Sequence, residues 1–386
     1  MRIGFDARFV DDRYHGVGRF AHQTLEALTR LYPADRFVVY HNPKRPSTRL
    51  DLASLLSRPN VEARPFPYDI YHPLEQPLLA LDLARARLDV HYVPYFPAPL
   101  LAPVRLVVTV HDLILDHEAR YQTGRWVRYY YRPMMRLAPR RVARIVAVSE
   151  ATARDLQAFY RVPRGKVAVV PEAADPRFRP VTDGAVLAAV RERYHLPERF
   201  VVAVGVRRPH KNLSVLIEAF ALARDEIPHA LVLAGEAHAR YHDDVPETAA
   251  RLGLADRLLE LGHVPDADLP ALYTLADLYA VPSLEEGFGL PALEAMSSGT
   301  PVVASNTSSL PEVVGEAGLL ADPRDPADFA RAIVRAVGDR DLHARLRALG
   351  LARAAEFSWD ETARRLRSAL GAAAGARDRA SAGEAT

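Results

Sequence analysis

Two glutamates flank a glycine-rich loop near residue 290 of this 386-residue chain. Glu286 and Glu294 are separated by seven residues, with Gly287 and Gly289 between them, and a helix is predicted to start near Pro291. Glycines let the backbone approach a diphosphate, and a helix N-terminus offers free N–H groups to an anion. Carboxylates accept hydrogen bonds from hydroxyl groups, so we expect one glutamate to bind a sugar and the other a ribose. Alternatively, Glu294 only complements the positive end of the helix dipole.

A group of basic residues, 207–211, follows the first predicted strand of the second half. Arg207, Arg208 and Lys211 are cations of the kind that neutralise a departing diphosphate. Lysine occurs only three times in this arginine-rich chain, so Lys211 is stronger evidence for such a role than either arginine. A solvated basic turn is the alternative interpretation.

Short β-rich segments alternate with amphipathic helical segments along the chain, which is typical of doubly wound α/β domains. The chain is long enough for two such domains, each with its own core. Strands are predicted at 2–6, 37–41, 89–93, 106–110, 145–148 and 167–170, and then at 200–205, 230–235, 258–261, 278–281 and 301–304. Helices are predicted at 19–31 and 76–87 in the first half.

The order of these segments predicts the domain organisation. We expect a Rossmann-like N-terminal domain over 1–172, a linker over 173–197 and a Rossmann-like C-terminal domain over 198–357. A last helix is predicted over 358–370, with Ser358 as its N-cap and Glu361 completing a capping box. The Ala/Gly-rich tail, 371–386, lacks large apolar residues and is predicted to be disordered.

Composition excludes several classes of site. The chain has no cysteine, so disulfides, thiolate catalysis and Cys-ligated metals are excluded. A formal net charge of only +2 argues against a nucleic-acid-binding protein. The sequence lacks an apolar stretch of about 18 residues, and its first residues form a predicted strand instead of a signal peptide, so we expect a cytoplasmic protein.

The segment from Gly262 to Asp322 resembles the signature region of the retaining glycosyltransferase family 4. The hallmark of that family is two glutamates separated by seven residues, as in Glu286 and Glu294. The resemblance extends over nearly the whole chain before the tail and is weaker in the N-terminal half. It implies the GT-B fold, in which two Rossmann-like domains face each other across a cleft. In that fold the C-terminal domain binds the nucleotide sugar, and a last helix crosses back to the acceptor-side N-terminal domain.

The resemblance also implies roles for individual residues. Lys211 and either Arg207 or Arg208 clamp the donor diphosphate, although the family arginine most often directly follows the glycine, where this chain has Val206. His111 lies against the donor sugar, and Glu286 binds the sugar hydroxyls. The implied catalytic residues are His111, Arg207, Lys211 and Glu286. The implied donor-binding residues are Gly16, Arg207, Arg208, Lys211, Val264, Glu286, Gly287, Phe288, Gly289, Leu290 and Glu294.

The implied activity is transfer of a hexose from a nucleotide-diphosphate sugar to a hydroxyl of a glycan, a lipid-linked sugar or a small molecule. The anomeric configuration is retained, and neither a metal nor another cofactor takes part. Asp266 and Asp268 form no metal site in this interpretation, because an N-cap and a first helical turn are expected there. The N-terminal residues resemble bacterial enzymes of surface polysaccharide assembly, which favours GDP-mannose as donor, with a UDP-sugar as the alternative. An epimerase or a non-catalytic nucleotide-sugar-binding protein is the alternative function.

A basic and aromatic segment runs from Arg120 to Arg144, with eight arginines and no acidic residue. Four of the arginines recur at helical spacing: Arg125, Arg128, Arg132 and Arg136. Pro133 must kink or interrupt such a helix. A surface of this kind suits peripheral contact with the inner face of the plasma membrane or with an anionic acceptor. The alternative is an ordinary helix whose aromatic side chains pack against the sheet.

Overall fold

Two parallel β-sheets organise the chain in the computed structural model, which describes residues 1–118, 121 and 125–375. One unit contains residues 1–113, 125–172 and 358–375 of this described part, and the other contains 114–118, 121 and 173–357. Each unit has one sheet, and its strands alternate along the chain with helices. The predicted α/β architecture with two Rossmann-like sheets is therefore confirmed.

The strands of the first unit are β1 (Arg2–Asp6), β2 (Arg36–His41), β3 (Val61–Pro65), β4 (Val90–Val93), β5 (Leu106–Val110), β6 (Arg144–Ala147) and β7 (Val167–Val169). They form a parallel sheet in the order β3-β2-β1-β4-β5-β6-β7. The helices up to residue 160 are α1 (His15–Leu31), α2 (Leu52–Leu56), α3 (Glu75–Arg85), α4 (Ile114–His117), α5 (Arg132–Arg141) and α6 (Glu150–Tyr160). Every residue of the central strands β4 and β5 is buried, as expected for parallel strands with both faces covered.

The strands of the second unit are β8 (Phe200–Val204), β9 (Ala230–Ala234), β10 (Leu258–Gly262), β11 (Leu278–Val281), β12 (Val302–Ser305) and β13 (Leu319–Ala321). They form a parallel sheet in the order β10-β9-β8-β11-β12-β13. The helices after residue 172 are α7 (Gly184–Arg193), α8 (Leu213–Ala223), α9 (Val245–Arg251), α10 (Leu269–Leu275), α11 (Leu290–Ser297), α12 (Leu310–Val314), α13 (Pro326–Gly338), α14 (Arg340–Ala355) and α15 (Trp359–Ala374). The segment predicted as a linker, 173–197, includes α7 and belongs to the second unit.

The eleven predicted strands are all present, with ends shifted by at most one residue, but two further strands were not predicted. The first is β3, an edge strand in which three of five residues are exposed. Its polar sequence, VEARP, carries no apolar run that would indicate a strand. The second is β13, an edge strand of only three residues.

The last helix, α15, belongs to the first unit although it follows the second unit in sequence. The predicted N-cap is confirmed, because the Ser358 side chain accepts a hydrogen bond from the Glu361 amide. The helix continues to Ala374, so the prediction of disorder from residue 371 is wrong for 371–374. These residues are mainly alanine, the strongest helix former, and Ala373 is buried. The rest of the predicted disordered tail, 376–386, lies outside the described residues.

The strand order of each sheet reverses at one position, between β1 and β4 in the first unit and between β8 and β11 in the second. In open α/β sheets, ligands bind outside the carboxyl ends of the strands at such a switch point. The loops that follow β8 and β11 contain the basic and acidic residues singled out from the sequence. This topology brings the two loops to the same edge of the second sheet.

Candidate active site

Glycines shape the loop that follows β8. Gly205 has a φ of +137°, a conformation that side chains rarely adopt, and Lys211 packs over it with Cε 3.7 Å from where a Cβ would lie. Gly235 follows the neighbouring strand β9, and a Cβ there would lie 2.0 Å from the Gly205 carbonyl oxygen. A side chain at Gly235 would therefore push apart the two strand ends, whereas at Gly205 the backbone conformation alone disfavours one.

An asparagine joins the β8 loop to the end of β11. Asn212 adopts the left-handed conformation, with a φ of +56°, which asparagine tolerates better than most residues. Its Nδ2 donates to the carbonyl oxygens of Pro282 at 3.1 Å and Pro323 at 2.6 Å. These bonds hold Lys211, one residue earlier, close to the loop that carries Glu286.

The backbone of Glu286 is fixed by two serines at the start of α12. The Glu286 amide donates to Ser308 Oγ at 3.1 Å, and the Glu286 carbonyl oxygen accepts from Ser308 Oγ at 2.8 Å and from Ser309 Oγ at 3.0 Å. Ser308 itself has a φ of +56°, an uncommon conformation for serine. We did not identify these serines from the sequence, in which Ser-Ser before Leu-Pro indicates only a helix start.

The Lys211 ammonium and the Glu286 carboxylate form an ion pair, with 2.6 Å between Nζ and Oε1. The same Oε1 accepts from Ser283 Oγ at 2.7 Å. Burial alone would raise the pKa of the Glu286 carboxyl, but the Lys211 charge, the His210 ring and the hydrogen bonds from Lys211 and Ser283 together hold that pKa below its usual range. Glu286 is therefore ionised at neutral pH. Its second oxygen, Oε2, hydrogen-bonds to no residue that the structure describes, so it can accept from a ligand.

Glu294 lies on α11 and is buried, with 5% of its surface exposed. The helix begins after Gly289, whose φ is +96°, and Pro291 lies in its first turn, as predicted. The hydroxyl of Tyr279 on β11 has its pKa raised well above the usual value, first by burial and then by the charges of Glu286 and Glu294. The charges of both carboxylates therefore raise the pKa of the same hydroxyl, which places the two side chains in the same part of the second unit.

The two candidate arginines have different surroundings. Arg207 forms ion pairs with Glu260 and, at 3.3 Å, with Asp243, and its side chain is only 14% exposed. Its Nε is buried without a hydrogen-bond partner among the described residues. Arg208 is exposed. Arg207 and Lys211 line one small crevice of about 20 Å³, and both arginines line a neighbouring cavity of about 180 Å³.

The remaining predicted donor-binding residues of the second unit are Val264, Gly287, Phe288 and Leu290. Val264 follows β10 and is buried. Phe288 is buried, and its ring packs edge-on against Phe357 at 5.7 Å. Gly287 and Leu290 are half-buried in the loop and at the start of α11.

In the first unit, both ring nitrogens of His111 are hydrogen-bonded to the protein. Nδ1 lies 2.8 Å from Glu172 Oε1, and Nε2 lies 2.9 Å from the carbonyl oxygen of Pro94. Burial works against the charged ring, but the Glu172 carboxylate outweighs it and raises the pKa of His111. Because both partners are acceptors, this arrangement favours the doubly protonated, positively charged ring. The Glu172 contact was not predicted, since 61 residues separate the two side chains.

Gly16 lies in the first turn of α1, where it is exposed. A Cβ at this position would meet nothing within 4 Å. At Gly18, two residues on, a Cβ would lie 2.9 Å from the Phe9 carbonyl oxygen. Packing therefore accounts for Gly18, whereas the packing of the first unit gives no reason for a glycine at position 16.

The described residues contain neither a cluster of metal ligands nor a membrane-spanning helix. No group of three or more Asp, Glu or His side chains there is arranged to hold a metal ion. Asp268 occupies the predicted N-cap position of α10 but accepts from Arg193 and Tyr194 instead of capping the helix, and Asp266 lies before the helix. No helix in the described part of the chain has the length and apolar character needed to cross a membrane.

The basic segment forms a helix that changes its winding before Pro133. A π-helical turn, Val127–Tyr131, directly precedes α5, and the helix continues through Pro133, so the predicted interruption does not occur there. All four arginines at helical spacing are exposed. The aromatic residues differ in exposure. Tyr129 is 68% exposed and Trp126 is 37% exposed, whereas Tyr131 is buried. Arg120, the first residue of the predicted segment, lies outside the described residues.

Comparisons with known proteins find relatives of both units. Family models match the chain over two ranges, Glycosyltransferase Family 4 over residues 14–178 and Glycosyl transferases group 1 over residues 191–351. O-antigen chain mannosyltransferase B of Escherichia coli is 33% identical over 380 residues, 93% of this chain and 97% of that protein. The serotype-specific mannosyltransferase WbdA of Escherichia coli is 33% identical over 267 residues, 68% of this chain, but the match covers only 32% of WbdA's length.

A solved structure supports the fold. Anabaena HepE in complex with UDP-glucose matches with a TM-score of 0.73 at 23% identity, over 96% of this chain and 100% of that chain. This similarity and the two family models confirm the predicted GT-B fold class. Since the match to O-antigen chain mannosyltransferase B runs through both units, the chain belongs to glycosyltransferase family 4.

Proposed function

We propose that this protein is a retaining, metal-independent hexosyltransferase that uses a nucleotide-diphosphate sugar. The acceptor is a hydroxyl of a glycan, a lipid-linked sugar or a small molecule. The observation that carries the proposal is the Lys211–Glu286 pair at the switch point of the second sheet, with one carboxylate oxygen left available. A cation for a diphosphate and an acceptor for sugar hydroxyls thus stand side by side.

In this proposal the donor diphosphate binds to Lys211, to Arg207 or Arg208, and to the N–H groups at the start of α11. Lys211 Nζ has three donor hydrogens, so it can keep its bond to Glu286 Oε1 and still donate to a phosphate oxygen. The glycine loop before α11, with Gly287 and Gly289, allows the close approach that those N–H groups require. The small crevice places Arg207 beside Lys211, but Arg207 is already paired with Glu260 and Asp243, so both arginines remain candidates for the second cation.

Glu286 and Glu294 bind different portions of the donor in this proposal. Glu286 Oε2 accepts from hydroxyls of the donor sugar, and the ionised state that Lys211 maintains makes it a strong acceptor. Glu294 binds the ribose of the nucleotide. Val264, Phe288 and Leu290 form apolar surface around the donor.

The chemical step is front-face displacement through an oxocarbenium-like transition state. The acceptor oxygen bonds to the anomeric carbon on the face from which the diphosphate leaves. The bond between that carbon and the diphosphate oxygen breaks with its electron pair, and the acceptor proton passes to this oxygen. Lys211 and the arginine stabilise the negative charge that develops on the leaving group. Because both His111 nitrogens are already hydrogen-bonded, we assign it contact with the donor sugar and no proton transfer.

The favoured donor is GDP-mannose, with a UDP-sugar as the alternative. The support is the similarity to proteins named O-antigen chain mannosyltransferase B and WbdA. The test incubates the purified chain with radiolabelled GDP-mannose, UDP-glucose or UDP-galactose and a mannose-containing oligosaccharide, and then analyses the products by chromatography and NMR. We expect an elongated oligosaccharide with an α-linkage from GDP-mannose. A free epimerised nucleotide sugar, or tight donor binding without product, would instead support the alternative functions. A β-linked product would exclude retention.

We also propose that the protein is cytoplasmic and binds anionic membrane at the inner face of the plasma membrane through the segment from Arg125 to Arg144. The supporting observation is that its arginines at helical spacing are exposed together with Tyr129 and Trp126. Each arginine near an anionic lipid surface contributes about 1 kcal/mol. Co-sedimentation with anionic vesicles should exceed that with neutral vesicles and should weaken as salt rises. Equal binding to both kinds of vesicle would refute the membrane contact.

A further inference from the structure

The first unit contains a cavity of about 490 Å³ that the donor chemistry does not use. It lies where β1 and β2 end, and its walls come from residues 7–10, the loop 41–51 and α2. The volume is in the range of cavities that bind small molecules, about 300–1,000 Å³. Its position at the carboxyl edge of a parallel sheet is where such folds place ligands.

The charges around this cavity are balanced. Arg8 is buried and paired with Asp6 at 2.6 Å and with Glu75 at 2.8 Å. Arg45 is paired with Asp69, with Nε 2.8 Å from Oδ1. Each of these guanidinium groups therefore has a carboxylate partner, which lowers its attraction for a phosphate group.

The third arginine in the wall, Arg49, is also close to a carboxylate. Its Nε lies 3.5 Å from Asp12, which further accepts from Ser47 and Thr48. With all three arginines balanced in this way, the cavity is better suited to a neutral ligand than to an anion.

His41, at the end of β2, is a side chain in this wall whose ring nitrogens are both available. Its ring nitrogens hydrogen-bond to no residue that the structure describes. Burial lowers the pKa of His41, so its ring is neutral at pH 7. A neutral imidazole has one donor and one acceptor nitrogen, which matches the donor and acceptor character of sugar hydroxyls.

Apolar side chains complete the wall. Val10, Leu52 and Leu56 line the cavity together with His41. Sugars present C–H faces as well as hydroxyls, so a wall that combines apolar surface with a neutral polar group suits them.

We propose that this cavity binds an uncharged sugar unit of the acceptor, with His41 hydrogen-bonding to its hydroxyls. This inference rests on the proposed glycosyl transfer for the identity of the ligand. It deepens that function by naming the acceptor class, a neutral saccharide instead of a sugar phosphate.

The test measures saturation-transfer NMR with the methyl α-glycosides of mannose, glucose and galactose and with mannose 6-phosphate, in the absence of any donor. We expect a signal from at least one methyl glycoside and a weaker one from mannose 6-phosphate. The signal should be lost in His41→Ala and in Ala53→Trp, which places a large ring in the cavity wall. Ser54→Trp is the matched control, because Ser54 is the next residue of α2 but does not line the cavity.

A second readout separates failure of this inference from failure of the proposed function. Thermal shifts with GDP-mannose and UDP-glucose should be the same in all variants, since the cavity lies in the first unit and the proposed donor residues named above lie mainly in the second. No signal from any methyl glycoside, an undiminished signal in folded Ala53→Trp, or a stronger signal from mannose 6-phosphate would overturn the inference. If neither GDP-mannose nor UDP-glucose raised the melting temperature of the wild-type chain, the result would instead contradict the proposed function.

Discussion

Lys211 and Glu286 come from loops 75 residues apart, yet their Nζ and Oε1 atoms lie 2.6 Å from each other. Because Lys211 binds Glu286 Oε1, the other carboxylate oxygen, Oε2, is the one that a ligand can reach. It also keeps the Glu286 carboxyl ionised despite its burial. A change at either residue therefore alters the charge of both parts of the proposed donor site.

Replacement of Glu286 by glutamine should lower kcat by about 10²–10³-fold, because the amide keeps the shape but loses the charged acceptor. Thermal unfolding of the variant should show a folded protein. Glu285→Gln is the matched control, since the Glu285 carboxylate contacts His117 at 3.1 Å. Single-turnover rates measure the effect. Near wild-type rates in a folded Glu286→Gln variant would end the proposed role.

Glu294→Ala should raise KM for the donor, with little change in kcat. A ribose contact is equally strong in the ground state and the transition state, so its loss weakens binding alone. Glu294→Gln should show a smaller rise, because it retains a hydrogen-bonding side chain at this buried position. A large fall in kcat with an unchanged KM would show that Glu294 acts in the chemical step.

Gly16→Ala and Gly289→Ala should affect stability and activity differently. A Cβ at Gly16 meets open space, so alanine there should leave the melting temperature unchanged or slightly higher while reducing donor turnover. A Cβ at Gly289 would lie 2.8 Å from Leu310 Cδ2, and its φ of +96° disfavours alanine, so the protein should lose about 1–2 kcal/mol of stability. Full activity of Gly16→Ala would remove this glycine from the donor site.

Activity should not depend on a divalent cation, because Lys211 and an arginine supply the positive charge at the diphosphate. The assay compares transfer rates in EDTA, Mg²⁺ and Mn²⁺. Equal rates are expected. Complete loss in EDTA with recovery on adding Mg²⁺ would contradict the prediction.

Acid should destabilise the first unit through His91. Burial lowers the pKa of His91 to about 4, against about 6.5 in an unfolded chain, so the neutral ring is favoured in the fold. The free energy of unfolding is therefore unaffected by His91 above about pH 6.5. It falls as the pH drops towards 4, by up to roughly 3 kcal/mol, because the unfolded chain binds a proton that the folded chain does not. His91→Phe should reduce the fall in melting temperature between pH 7 and pH 5. An identical pH dependence in both proteins would refute the role.

The core strands and the glycine loop before α11 were predictable because their signals are local. Strands such as β8 and β11 are continuous apolar runs, and Gly287, Gly289 and Pro291 indicate the turn and helix start directly. The edge strand β3 was not predicted, because its pairing with β2 keeps it extended and its own sequence does not indicate a strand.

The contacts that tune the candidate site were not predictable for a different reason. Glu172 beside His111 and Ser308 beside Glu286 are joined through tertiary packing, across 61 and 22 residues of sequence. The pairing of Arg207 with Glu260 is equally remote, at 53 residues. One sequence gives the type of each residue but not the partner that folding brings to it.

Helix α15 has a consequence for how the protein is made. Trp359 packs near Phe20 with ring centroids 6.0 Å apart, and Thr362 donates to the carbonyl oxygen of Pro171 at 2.7 Å. The first unit thus lacks part of its core until residues 359–374 have left the ribosome. At about 5–20 residues per second, roughly 10–40 seconds separate the synthesis of residue 172 from that of residue 374. During that interval the nascent first unit exposes the apolar surface around Phe20, and the second unit can finish folding before the first one does.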